Sequence, residues 1–361
     1  MGLNLQTVKR MKHKTKNIYL FITHFMFAVC LIASIATSKT LAFHLSSEFI
    51  LNDGKYSTIY HNDQSALNES LKGKIVFLRY SVEDEGYRIY AMDANGENQR
   101  RISNLLLEHS AHLSVSPDGS KIIFVKRDND ENDNRQIWMM NSDGSGLINL
   151  TNNPDVNHGG PGWSPDGDSI AYYARNTVSN DTFSLYIMDP DGSNTRMITS
   201  PLSHQYFPSW SPDGKSLVYL GRRTIDGNTA FSVEIMNIDG SDRRTIVEPV
   251  AMENNTWPRW SPDGTRVAFQ RMIDGSGNPY QIYTVQVDGS NIKNLTEAGG
   301  NYGIRAEIPA WSPDGDYILF QAPLGGTTNL YLMDANGVIQ GNAITNGTNR
   351  EHSLGATWVA D

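Results

Sequence analysis

The histidines of this sequence recur at nearly equal distances before a repeated segment. The segment reads Trp-Ser-Pro-Asp-Gly at residues 163–167, 210–214, 260–264 and 311–315, and at 115–119 with Val in place of Trp. His109 and His204 lie seven residues before the repeated serine, and His158 lies six residues before it. His352 lies seven residues before Val359, where the next serine would fall. Neutral imidazole binds transition metals and acts as a general base near neutral pH, so these positions raise the question of a shared site.

The elements that must position these histidines follow from the period of the repeat. The repeated serines are residues 116, 164, 211, 261 and 312, a period near 50 that is typical of β-propellers. In the third unit, strands are predicted at 161–164, 170–172, 185–188 and 197–199. The Ser-Pro-Asp-Gly and Asp-Pro-Asp-Gly segments between them are tight turns, because proline presets φ and glycine accepts a positive φ. Four antiparallel strands make one blade.

The last residues of the chain supply the strand that the first unit lacks. The sequence contains six predicted third strands, each followed by a turn. Only five of the six units contain the Ser-Pro-Asp-Gly turn that follows an innermost strand. The segment 355–359 matches the innermost strand and lies on period after Ser312. We therefore predict an all-β, six-bladed propeller over 74–361, closed when the C-terminal strand pairs with the blade that begins at Lys74.

Because neighbouring strands of a blade run in opposite directions, alternate connections lie on opposite faces of the predicted disc. We call these the constant face and the variable face. The tight turns lie on the constant face, and the variable face holds the strand 2–3 loops and the connections between blades, where binding residues usually lie. We predict a candidate site at the channel mouth from residues of these connections: His109, His158, His204, Asn254, Asn255, Arg305, Glu307 and His352. The four histidines would be the ligands if a divalent metal binds, although no cofactor is required. Alternatively, each histidine is a repeat-derived residue that hydrogen-bonds to the next blade.

Composition and the N-terminal segment limit the compartment and the partners. Residues 1–16 carry five basic residues and no acid, and an apolar run follows to Ile35. This pattern predicts a signal peptide over 1–36, or a membrane anchor if cleavage after Ala36 or Ala42 fails, then a linker or edge segment over 37–73. The mature chain would hold 25 basic and 39 acidic residues, a formal charge of −14, which excludes nucleic acid as a favourable partner. It would also lack cysteine, because the single Cys30 lies in the apolar run.

The repeat resembles a known family. The Trp-Ser-Pro-Asp-Gly turn, the Ile-Ala-Tyr strand 170–172, the Leu-Tyr-Ile-Met strand 185–188 and a closing Leu-Thr or Ile-Thr pair resemble the TolB-type (WD40-like) propeller repeat. Related repeats occur in the propellers of prolyl oligopeptidases and in oligogalacturonate lyases. The resemblance covers about 74–361, and we expect a propeller without the α/β domain that precedes it in TolB. No Gly-x-Ser-x-Gly motif of a serine hydrolase occurs in the sequence.

Two functions are compatible with these patterns. The first is non-catalytic binding, by a monomer in the periplasm or outside the cell, of a protein or an envelope component through the variable face. The membrane would then be contacted only through the N-terminal segment. The second is a carbohydrate-active enzyme, similar to oligogalacturonate lyases, which uses a histidine and metal site at the channel mouth.

Overall fold

The computed structural model describes most of the chain from Phe49 to Val359. The described ranges are 49–52, 55–58, 73–83, 85–107, 112–127, 135–176, 182–199, 204–250, 253–272, 280–298, 305–323, 327–345 and 351–359. The predicted signal peptide and His109 lie outside them. The chain divides into two compact units, Met1–Asp63 and Gln64–Asp361. Within the described residues, no helix has the length and apolar character needed to cross a membrane.

The first unit contains a β-hairpin within the segment predicted as a linker. Strand β1 (Phe49–Asn52) pairs antiparallel with β2 (Lys55–Thr58). The residues between them, Asp53 and Gly54, form a dipeptide that favours tight hairpin turns.

The second unit consists of six antiparallel sheets, which we number as blades in chain order. Blade 1 holds β3 (Lys74–Ser81), β4 (Gly86–Asp93) and β5 (Arg100–Arg101). Blade 2 holds β6 (Leu113–Val115), β7 (Lys121–Arg127), β8 (Arg135–Asn141) and β9 (Ile148–Asn149). Blade 3 holds β10 (His158–Trp163), β11 (Ile170–Asn176), β12 (Thr182–Met188) and β13 (Arg196–Met197).

The remaining blades repeat the arrangement. Blade 4 holds β14 (Gln205–Trp210), β15 (Ser216–Ile225), β16 (Asn228–Asn237) and β17 (Arg244–Val247). Blade 5 holds β18 (Asn254–Trp260), β19 (Arg266–Met272), β20 (Gln281–Gln286) and β21 (Lys293–Asn294), followed by the single-turn helix α1 (Leu295–Ala298). Blade 6 holds β22 (Glu307–Trp311), β23 (Tyr317–Ala322) and β24 (Asn329–Asp334), and its outer edge continues as the Ile344 N–H donates to the Leu330 carbonyl at 2.8 Å.

The last strand, β25 (Glu351–Trp358), closes the ring as predicted. It pairs antiparallel with β3 and becomes the innermost strand of blade 1. Between the second and third strands, Phe77 pairs with Tyr90 and Tyr219 with Glu234. The sequence therefore predicted the fold class, the number of blades and the way the ring closes.

The apolar core is divided into six layers, one between each pair of neighbouring blades. The second strand of each blade is buried on both sides, which explains its short continuous apolar run of β-branched and aromatic residues. Residues 75–78 of β3 and 217–220 of β15 all have no exposed surface. One layer joins blade 6 to blade 1 through Leu319 and Phe77, so the closing interface is packed like the other five.

On the constant face, the polar side chains of each turn form hydrogen bonds within that turn. In blade 3 the Ser164 hydroxyl donates to the Asp166 carboxylate at 2.5 Å and accepts the Ser169 N–H at 2.9 Å. The Asp168 N–H also donates to Asp166, at 3.0 Å. These hydrogen bonds, from the Ser164 hydroxyl first, lower the pKa of Asp166, and the same pattern recurs at Asp213. The turn carboxylates are occupied within their own turns, in accordance with a structural role.

Candidate binding site on the variable face

His158 lies inside its blade. It begins β10, pairs with Ala174 and is only 7% exposed. Its ring centroid is 5.8 Å from that of Tyr172. Burial lowers the pKa of His158 to about 4, so the ring is neutral at pH 7. Nδ1 has no hydrogen-bond partner among the described residues.

His204 lies in the connection that leads into β14. Its Nδ1 is 3.2 Å from the Tyr206 hydroxyl, and its Nε2 is 3.4 Å from Nη1 of Arg222. Its backbone carbonyl accepts the Arg222 N–H at 2.9 Å. These contacts hold His204 against the first and second strands of blade 4.

The other candidate residues form local pairs in separate blades. In blade 5, Asn255 is fully buried, and its side chain accepts from Arg271 Nε at 2.8 Å and donates to the Phe231 carbonyl at 2.6 Å. In blade 6, Arg305 Nε donates to Glu307 at 2.7 Å. Asn254 begins β18 and leaves its Oδ1 without a partner among the described atoms. The backbone of His352 pairs with Tyr80 in blade 1.

Among the candidate residues whose side chains the structure describes, Arg305 pairs with Glu307. His158, His204 and Asn255 each contact residues of their own or the adjacent blade. In the part of the chain that the structure describes, no group of three or more His, Cys, Asp or Glu side chains is arranged to hold a metal ion.

A β-bulge in the innermost strand determines which residues point into the central channel. In each of five blades the register shifts at the same place, between Tyr206 and Ser209 in blade 4, for example. The residue four positions before the repeated serine has a positive φ there. These residues are Gly160, Phe207, Trp257, Ile308 and Gly355, with φ between 54° and 56°. Such a conformation is uncommon for a residue with a side chain and strained for a β-branched one.

Three side chains at this position meet across the channel, and we call them the plug: His112, Phe207 and Trp257. His112 and Trp257 have ring centroids 4.5 Å apart, Phe207 and Trp257 5.0 Å, and His112 and Phe207 5.2 Å. Each ring comes from a different blade, so the plug packs residues of three blades against one another. Burial, together with the charges of Arg259 and Arg135, lowers the pKa of His112 to about 3.

Beside the plug, five further rings form a continuous surface at the variable-face ends of blades 3 and 4, which we call the aromatic belt: Tyr173, Phe183, His204, Tyr206 and Phe231. Tyr206 is its centre. The Tyr206 ring lies 5.0 Å from Phe183, 5.6 Å from Tyr173 and 5.8 Å from Phe231, and it stacks parallel to His204 at 6.1 Å. Except for Tyr173, these rings are partly exposed.

The hairpin of β15 and β16 makes the variable face asymmetric next to the belt. Both strands have ten residues, whereas the second strands of the other blades have six to eight. The hairpin therefore extends further, with Arg222 and Asp226 exposed near its tip. At its base Glu234 accepts hydrogen bonds from Tyr219, Ser232 and Arg223.

The sequence patterns did not indicate the plug or the belt. An extended strand would place the side chains of His109 and His112 on opposite faces, so their spacing does not predict a pair of ligands. The signal that would have found the plug is the position four residues before each serine, which holds large rings in three blades. The bulges that hold Phe207 and Trp257 leave no mark in the hydrophobic pattern.

Six antiparallel blades, five with four strands and blade 6 with three strands and a hydrogen-bonded outer edge, are closed by the C-terminal strand and define this protein as a six-bladed β-propeller. Residues 169–360, more than half of the chain, match the family described as TolB beta propeller domain (PD40). The chain therefore belongs to the TolB β-propeller family, as its repeat predicted.

Solved structures share this fold, and one curated relative is similar to part of the chain. TolB from Acinetobacter baumannii superposes with a TM-score of 0.64 at 18% identity, over 81% of this chain and 68% of that one. A putative TolB from Agrobacterium tumefaciens gives a TM-score of 0.52 at 21% identity, over 78% and 97% of the two chains. The uncharacterized peptidase YuxL of Bacillus subtilis is 40% identical over 73 residues, which are 20% of this chain and 10% of the relative. The chain thus spans about a tenth of the length of that relative.

Proposed function

We propose that this protein is a non-catalytic binding protein of the periplasm or cell envelope, which captures a protein partner on its variable face. The observation that carries the proposal is the aromatic belt. Tyr and Trp side chains dominate the energetics of protein interfaces because they bury a large area at a low cost in side-chain entropy. The belt presents four partly exposed rings, of Phe183, His204, Tyr206 and Phe231, on a rigid scaffold, and Tyr and Phe are among the residues enriched at interfaces.

The surroundings of the belt support the same proposal. Arg222 and the projecting β15–β16 hairpin border the rings on one side and supply polar contacts of the kind found at interface rims. The constant face has its carboxylates occupied by its own turns, with Asp213, for example, accepting from Ser211 at 2.6 Å. Membership of the TolB family favours the periplasm or envelope, and we propose that the protein acts there as a monomer.

The experiment compares two tyrosines on opposite faces. A photoreactive phenylalanine analogue is placed at Tyr206 in the belt, and in a second variant at Tyr317, a 38% exposed residue that follows a constant-face turn. After irradiation in envelope extracts, proteins crosslinked from position 206 but not from position 317 are identified by mass spectrometry. The identified partner is then purified, and its affinity is measured for the wild type, Tyr206→Ala and Tyr317→Ala.

We expect Tyr206→Ala to weaken binding at least about tenfold, which corresponds to about 1.4 kcal/mol, and Tyr317→Ala to leave the affinity unchanged. Equal affinities for the two variants, or crosslinks only from position 317, would refute the proposal. Stoichiometric Mn, Zn or Ca in the purified protein, lost in a His158→Ala, His204→Ala double variant, would favour the enzymatic alternative.

A further inference from the structure

An internal chamber lies below the plug. It has a volume of about 410 Å³ and is lined by the innermost strands of all six blades. The plug residues lie at one end of its lining, and Pro117 and Pro165 of the constant-face turns lie at the other. Volumes of about 300–1,000 Å³ are typical of small-molecule pockets, so the chamber is large enough for a ligand.

One charged side chain lies in this chamber. Two residues before each repeated serine, the innermost strand presents a residue to the channel: Ser114, Gly162, Ser209, Arg259, Ala310 and Thr357. Five of the six are small or short, which leaves open space in front of the sixth. That residue is Arg259, whose guanidinium lies 5.5 Å from the centre of the Trp257 ring in the plug.

Arg259 lacks an anionic partner among the residues that the structure describes. Its Nη1 donates to the Pro258 carbonyl at 3.0 Å, and no described acid forms an ion pair with it. Among the described residues that line the chamber, His112 is the only other titratable side chain and none is Asp or Glu. A guanidinium has five N–H donors, so most of them remain available. Arg259 is partly buried, and burial of a charge is costly unless an opposite charge pairs with it.

We propose that this chamber binds a small organic carboxylate, with the guanidinium of Arg259 as its anchor. A carboxylate matches the planar fork of arginine with two parallel hydrogen bonds and brings one negative charge to the one cation in the lining. A phosphate dianion would leave one charge uncompensated, because His112 remains neutral. The walls contributed by Trp210 and Trp260 suit an aromatic or aliphatic body on the acid.

The proposal is independent of capture on the variable face. Because the plug residues lie at the variable-face end of the chamber lining, we expect the carboxylate to enter from the constant-face end, beside Pro117 and Pro165. A failure of the belt experiment would therefore leave the chamber intact, and the reverse also holds.

Benzoate and its neutral analogue benzamide are the probes. Both are titrated into the purified protein at fixed ionic strength, and binding is followed by tryptophan fluorescence and by the midpoint of thermal unfolding. Benzoate is expected to change the fluorescence saturably and to raise the midpoint, since a ligand that binds only the folded state stabilises it. Benzamide is expected to do neither.

Three variants locate the site. Arg259→Gln is expected to weaken benzoate binding at least tenfold, and Arg259→Lys, which keeps the charge but loses the fork, to weaken it by a smaller factor. Arg266→Gln is the matched control, because Arg266 also lies over a tryptophan ring, that of Trp311 at 4.8 Å, but does not line the chamber. It is expected to bind like the wild type.

The proposal is overturned if benzoate and benzamide act alike, if benzoate gives no saturable response up to tens of millimolar, or if the Arg259 variants bind like Arg266→Gln. Circular dichroism establishes that each variant is folded. If Arg259→Gln does not fold, the comparison between Arg259→Lys and the wild type decides: equal affinities overturn the site, and a weaker affinity for the lysine variant supports it.

Discussion

Residues at one position of the innermost strand have different roles in different blades. Gly160 has no side chain at the position of the plug, and the ring of Tyr173 occupies that space, since a Cβ at Gly160 would lie 2.8 Å from it. Phe207 and Trp257 at equivalent positions keep large rings there at a positive φ, a conformation that costs roughly 1–2 kcal/mol for a residue with a side chain. Ring packing across the channel offsets this strain. The strained residues lie beside the aromatic belt, and backbone strain is often found at binding sites.

Buried His158 predicts a dependence of stability on pH. The pKa of His158 is about 4 in the folded protein and 6.5 when unperturbed. Below pH 6.5 the unfolded chain therefore binds a proton that the folded protein does not, and the free energy of unfolding falls as the pH decreases towards 4. By pH 5 the loss is roughly 2 kcal/mol.

Urea unfolding at pH 7, 6 and 5 tests this dependence. His158→Asn is expected to have a smaller loss of stability between pH 7 and pH 5 than the wild type. His204→Asn, which keeps His158, is expected to retain the wild-type dependence. The turn carboxylates do not interfere, because hydrogen bonding lowers the pKa of residues such as Asp166 from 3.8 and their contribution is lost only below about pH 4. An unchanged slope in His158→Asn would contradict the assignment.

At the scale of elements, the turn between the third and fourth strands of each blade packs against the fourth strand or outer edge of the preceding blade. In blade 4, a Cβ at Gly240 would lie 2.6 Å from the Ile198 carbonyl oxygen of blade 3. The contact recurs around the ring, and a Cβ at Gly96 of blade 1 would lie 2.3 Å from the Ile344 carbonyl oxygen of blade 6. The repeated glycine is therefore required both for its positive φ and for the approach of one blade to the next.

Two glycines of blade 4 allow the effect of a positive φ to be distinguished from the effect of close approach between blades. Gly240 and Gly227 both have a positive φ, 85° and 78°, but a Cβ at Gly227 would meet nothing within 4 Å. Gly227→Ala is expected to cost about 1 kcal/mol of unfolding free energy from the backbone alone. Gly240→Ala is expected to cost at least about 2 kcal/mol more, because the clash is with backbone. Chemical denaturation measures both values, and equal costs would show that blade contact is unimportant here.

At the scale of the whole molecule, one strand pairing joins the two ends of the propeller. Strand β25 covers the edge of β3, and Trp358 packs in the layer between blades 6 and 1. An uncovered β3 would present a row of unpaired backbone groups and a broken apolar layer, which favours aggregation.

Removing residues 351–361 tests the importance of this closure. The truncated protein is expected to lose cooperative thermal unfolding and to elute as aggregates in size-exclusion chromatography. A synthetic peptide with the sequence of residues 349–361, added during refolding, is expected to restore a monomeric, cooperatively unfolding species. Trp358→Ala is a milder companion variant that leaves the strand in place. A truncated chain that unfolds like the wild type would refute the closing role of β25.

The fold was predictable because it depends on repeated local chemistry. The Ser-Pro-Asp-Gly turns, the buried runs such as 75–78 and the period near 50 residues determined six blades and their register without reference to distant contacts. The segment 355–359 further indicated how the ring closes. The positions of His158 and His204 within their units were also predictable, since they follow from counting residues to the repeated serine.

The sequence by itself determined the propeller, its closure and its two faces, since strand period and turn chemistry act over a few residues. Only the tertiary structure decided which side chains meet across the channel. His112, Phe207 and Trp257 are separated by about fifty residues or more in sequence, and their rings meet across the channel, with Phe207 and Trp257 each in a bulge at positive φ. Arg259 is one of several arginines in the sequence, and the small residues of five other blades leave it facing an internal chamber. Both outcomes depend on the geometry of the closed ring, which no single repeat contains.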